Sequence, residues 1–139
     1  MKLDLSSLED ALGQLEKSLA YYHSDTARKD KGLREQFRAA CIQAFEFTFE
    51  LAYKFTRRQL AQIVPARESL AQMSYPDLIR SAADAGLVRD VKRFLLYRDK
   101  RNLSSHTYDF KKAEEVISIL DDFQKDISFL VSELKRRNP

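Results

Sequence analysis

Apolar residues recur at alternating spacings of three and four through windows far longer than a strand, and only three glycines and three prolines interrupt 139 residues. That period fits helices with one buried stripe, and so few breakers leave the helices long. The expected fold class is all-α: a four-helix up-and-down bundle with one short extra helix, formed by residues 1–139 as a single domain. Leu5, Leu8, Leu12, Leu15, Leu19 and Tyr22 make the stripe of the first helix, with Asp4, Ser6 or Ser7 as caps. The second helix, from about Leu33 to Leu60, carries Phe37, Cys41, Phe45, Thr48, Ala52 and Phe55, and Phe47, Phe49, Leu51 and Tyr53 widen its apolar surface. Such a helix packs on more than one side, as the centre of the bundle or partly as a subunit interface.

After the loop IVPARESLAQM, Ser74 and Pro76 predict the start of a short helix to about Ala85, and Gly86 predicts its left-handed stop. A further helix starts near Val88. The last is predicted from about Phe110 to Arg137, with Asp109 as cap and Val116, Leu120, Phe123, Ile127, Leu130 and Leu134 as its seam.

No uninterrupted apolar run reaches the roughly 18 residues of a membrane span, and the first residues lack a secretory layout, so a cytoplasmic protein is expected. One cysteine and two distant histidines argue against a structural zinc site; no metal and no cofactor are expected, and Cys41 reads as core. The formal net charge is only +3, yet residues 89 to 101 hold six basic and two acidic side chains, a local +4. A solvated helix face and a site for an anionic partner both fit that segment.

Within the stretch from Val91 to Tyr108 the helical stripe turns polar. Val91, Phe94 and Leu95 share one face, and the same steps lead to Arg98, Arg101, Asn102, Ser105 and His106. Polar groups at core-facing phase cost several kcal/mol unless each finds a partner. Relative to Arg98, an ideal helix puts Ser105 at about −20°, Asn102 at about +40°, Arg101 at about −60° and His106 at about +80°. Arg101 and His106 thus point to opposite edges of one face. Either the helix ends before His106, or a second copy of the chain supplies the partner group.

Arginine offers a fixed cationic fork to phosphate, and histidine is the side chain whose unperturbed pKa suits proton transfer near neutrality. Together they suffice for RNA cleavage without metal, His106 as acid or base and Arg101 stabilising the phosphorane, with Asn102 and Ser105 as orienting or phosphate-binding groups. The plain alternative is surface ion pairing by Arg98, Asp99 and Arg101 beside a capped helix end.

The residues from Arg101 to Tyr108, RNLSSHTY, fit R-N-x3-H-x-Y, and this stretch resembles the motif of HEPN domains. FEFTFELAYK, from Phe45 to Lys54, resembles the second helix of the subgroup of nucleotidyltransferase substrate-binding proteins. The resemblance implies a homodimer that associates with a minimal nucleotidyltransferase and binds RNA or nucleotide in the dimer cleft. In toxin-antitoxin members it implies a metal-independent ribonuclease with Arg101 and His106 as the catalytic pair, Asn102 as a polar helper and Tyr108 as the hydroxyl that receives AMP. A non-catalytic subunit presenting substrate to the nucleotidyltransferase is the second reading.

Overall fold

The computed structural model describes residues 2–63 and 70–139. Positions 64–69 of the expected loop lie outside the described residues. The helices are α1 (Ser6–Tyr22), α2 (Asp25–Lys29), α3 (Lys31–Ile63), α4 (Tyr75–Asp84), α5 (Val91–Leu103), α6 (Phe110–Ile117) and α7 (Leu120–Arg137), with a 3₁₀ turn at Ser104–His106. The fold is all-α, as expected. Helices α1, α3, α5 and the α6–α7 pair form the four limbs, and α4 is the short extra helix. None of the described helices is long and apolar enough to cross a membrane.

The predicted seams carry the core. All six stripe residues of α1 and all six seam residues of α6 and α7 are buried. At about 50 Å, α3 is the axis of the bundle, and it packs against each of the other six helices. Phe45 meets Phe123 edge-on with ring centroids 4.8 Å apart, a favourable geometry for the aromatic quadrupoles. Phe47 is left 58% exposed on the flank of α3. Burial pushes the Cys41 thiol up to about 12, so it is an inert core group.

Local signals also hold. Ser74 caps α4 by accepting from the Asp77 N–H, Pro76 sits in the first turn, and Gly86 has φ +81°. Asp109 accepts from the N–H groups of Lys111 and Lys112. At α1, by contrast, none of the expected caps is the N-cap: Leu5 holds that position with no side-chain cap hydrogen bond, and the Asp4 carboxylate one residue earlier accepts from the N–H and the hydroxyl of Ser6.

Three features depart from expectation. The polar run after Tyr22 contains α2, whose cap Ser24 accepts from the Ala27 N–H. The predicted last helix is two helices, separated at Ser118 and Ile119. There the Ser118 hydroxyl donates to the Glu115 carbonyl at 2.6 Å and the Ile119 N–H tightens onto the Val116 carbonyl, diverting the ladder while Ile119 and Leu120 both stay buried. Third, the inward face of α5 is formed by Phe94, Tyr97 and, beyond its end, Ser104, whereas Arg98, Asn102, Ser105 and His106 are exposed. The expected phase was therefore turned too far, because Tyr97 takes the centre of the buried face. The polar stripe lines solvent, so the burial cost that the expected phase implied is avoided.

Candidate functional site

The orientation of α5 is fixed by one buried carboxylate. Asp126 of α7, 3% exposed, accepts two hydrogen bonds of 2.8 Å from Nε and Nη2 of Arg93 and one from the Tyr97 hydroxyl, with Nη2 of Arg89 at 3.4 Å. Burial raises the Asp126 pKa, but the hydrogen bonds from Arg93 and Tyr97, and the charges of Arg93 and Arg89, outweigh it and hold the carboxyl below the usual carboxylate range. Burial, then the bond to Asp126, pushes the Tyr97 hydroxyl up. This network turns the opposite edge of α5 towards α3 and α4.

On that edge Arg101 is held by α3. Its Nη1 donates to Glu46 and its Nε to Glu50, both at 3.1 Å. Ser104, 4% exposed, donates its hydroxyl to Glu46 at 2.6 Å and accepts from Arg101 Nη1 at 3.2 Å. Glu46 thus ties together the guanidinium and the start of the 3₁₀ turn. Among the described residues, no protein acceptor takes the N–H groups of Arg101 Nη2, and these remain for a ligand.

The helix ends before His106, as one of the two expected arrangements required. Ser105 and Thr107 hydroxyls donate back to the carbonyls of Asn102 and Ser104, closing the turn. His106 stands exposed on it, its ring 6.2 Å from that of Tyr108, and no side-chain hydrogen bond from the described residues engages the imidazole. Tyr108 is 86% exposed. His23, the other histidine, lies 3.9 Å from Asp121, apart from this turn.

Arg98, Arg101, Asn102 and Ser105 line one open groove of about 470 Å³, whose other walls are Phe49, Glu50, Tyr53 and Tyr75. His106 and Tyr108 are not among its walls. The structure therefore gathers four of the expected site residues and leaves the histidine and tyrosine on the turn beyond them. Glu46, Glu50, Ser104, Tyr53 and Tyr75 were missed. The spacing of Glu46 and Glu50 by one turn of α3 was a visible signal, but it became meaningful only once Arg101 stood opposite.

The local +4 is largely neutralised in the fold. Arg89 and Arg93 pair with Asp126, Lys100 with Glu115, and Arg101 with Glu46 and Glu50. Arg98 instead lies over the Tyr75 ring at 5.3 Å, a contact that leaves its charge unneutralised.

An all-α bundle that presents this arginine, histidine and tyrosine at the junction of α5 and α6 is a HEPN-type helical domain. Residues 3–136 match the family described as nucleotidyltransferase substrate binding protein like, and the chain belongs to that family. It is 36% identical, over 99% of its own length and 95% of the relative's, to a Haemophilus influenzae protein named probable ribonuclease HepT. A solved structure from H. influenzae, HI0074, described as revealing the fold of a substrate binding domain of a nucleotidyltransferase, matches with TM-score 0.88 at 33% identity, covering 95% of this chain and 99% of that one. A crystal structure of a Thermus thermophilus protein matches with TM-score 0.69 at 26% identity, covering 91% of this chain and 98% of that one.

Proposed function

We propose that this protein is a cytoplasmic, homodimeric, metal-independent endoribonuclease, the toxin of a pair whose minimal nucleotidyltransferase silences it by adding AMP to Tyr108. The observation that carries the reading is the division of labour around α5: Arg101 is clamped in the groove with Nη2 left open, while His106 stands free on the next turn. The name of the H. influenzae relative supports the ribonuclease, and the family description supports the nucleotidyltransferase partner.

In the cleavage step the His106 imidazole takes the proton of a ribose 2′-hydroxyl, and the 2′-oxygen bonds to the neighbouring phosphorus. The bond from phosphorus to the 5′-oxygen breaks, and a protonated imidazole returns a proton to that oxygen. The products are a 2′,3′-cyclic phosphate and a 5′-hydroxyl. Arg101 stabilises the extra negative charge of the phosphorane, with Arg98, Asn102 and Ser105 as phosphate-binding groups. The imidazole that takes the 2′-proton is the one that returns it, and a second copy of the chain brings that His106 to the Arg101 groove, whose own walls lack it. In the silencing step the Tyr108 oxygen attacks the α-phosphorus of ATP, pyrophosphate leaves, and the phenolic proton is released.

The test is cleavage of RNA in the presence of a chelator. The wild type is expected to cut, and His106→Ala is expected to lose at least about 100-fold in rate with its helical spectrum intact. Undiminished cutting by that variant contradicts the reading. The family description also fits a non-catalytic subunit that presents substrate to the nucleotidyltransferase; RNA or nucleotide bound by the wild type without turnover would select it.

A further inference from the structure

The groove that holds the motif carries little net charge, because Arg101 is paired with Glu46 and Glu50 and only Arg98 is left without a carboxylate partner among the described residues. A polyanion longer than a few nucleotides therefore needs cations from beside it. Glu50 and Tyr53 wall both this groove and a second open depression of about 500 Å³, whose remaining walls are Leu51, Lys54, Arg57 and Arg58. Among the described residues, none of these three cations has a carboxylate partner, unlike the cations of α5 that pair with α3, α6 and α7. They lie within roughly 12 Å of Glu50 along α3.

Stacked planar groups join the two depressions. The Arg57 guanidinium lies 4.6 Å from the centre of the Tyr53 ring. The Tyr53 and Tyr75 rings stack 5.5 Å apart with only 7° between their planes, and Arg98 follows over Tyr75 at 5.3 Å. Exposed Arg57 and Arg98 end this series. Planar guanidinium and aromatic surfaces beside unpaired cations fit single-stranded nucleic acid, whose bases stack and whose phosphates need charge. An acidic protein partner would use the cations but not the stack.

We infer that Lys54, Arg57 and Arg58 carry single-stranded RNA as it leaves the motif groove, with one base stacked on the Arg57–Tyr53 pair. The inference rests on the ribonuclease reading, whose groove supplies the other end of the strand.

Binding is measured in the His106→Ala background, so that the RNA stays whole, with an oligonucleotide of about 12 residues and one of about 3. Combining Lys54→Gln, Arg57→Gln and Arg58→Gln is expected to cut the affinity advantage of the long RNA over the short one at least tenfold. The slope of log affinity against log salt for the long RNA should fall by about 2. Arg57→Lys, which keeps charge but loses the plane, is expected to weaken long-RNA binding with little change in slope. An undiminished advantage in the triple variant, from a protein that cuts RNA through His106, overturns the path and leaves the ribonuclease standing. If the wild type neither binds nor cuts RNA, both fail. Unchanged RNA binding with loss of the nucleotidyltransferase would make the surface a protein-docking face and likewise overturn the path.

Discussion

Arg101 keeps its charge whatever surrounds it, but two carboxylates and a buried serine decide which of its N–H groups a phosphate can reach. Glu46 and Glu50 fix the fork at the cost of local positive charge, so the side chain is oriented more than it is attractive. Tyr108 is the opposite case. Nothing buries it, and a ring 86% exposed is open to a second enzyme's active site. With the nucleotidyltransferase and radiolabelled ATP, wild-type protein is expected to take up AMP, and Tyr108→Phe to take up less than a tenth as much. Equal labelling would remove Tyr108 as the acceptor. The sequence motif supplied Arg101, His106 and Tyr108, but Glu46 and Ser104 follow from which side of α5 faces α3, a relation between residues more than 50 positions apart.

At the scale of elements, the Asp126 network does most to set α5. Asp126→Asn removes the charge that Arg93 and Tyr97 share while nearly keeping the volume, and is expected to destabilise the fold by about 2–4 kcal/mol at neutral pH. The folded-state pKa of Asp126 is lowered, so its contribution is complete above the ordinary carboxylate value of about 4 and is lost as pH falls through the lower folded value. Denaturant titrations of both proteins should show the gap closing on acidification; a gap that is constant with pH would contradict this role. The leucine stripes of α1 and the last limb were legible because burial there is apolar and periodic. Tyr97 and Asp126 were not, since both are polar and their pairing spans 29 positions. The break at Ser118 escaped for a related reason: no glycine or proline marks it, and the seam runs on in phase from Val116 to Leu120 and Phe123.

For the whole molecule, the all-α bundle around α3 was readable from periodicity, whereas the groove, built from α3, α4 and α5, was not. The central claim is that one chain does not complete the site. The chain holds Arg101 in its groove and His106 outside the groove walls, and the exposed Phe110 lies beside the motif, where a second copy would cover it while leaving Tyr108 open. Exposed Phe47 on the other flank offers a further apolar contact. The most direct measurement mixes Arg101→Ala with His106→Ala, each inactive alone, under conditions that exchange subunits. If the site takes Arg101 from one chain and His106 from the other, half the dimers are mixed and each has one intact site, so about a quarter of wild-type RNA cleavage returns. Continued inactivity, with mixed dimers shown to be present by native mass spectrometry, would contradict the shared site.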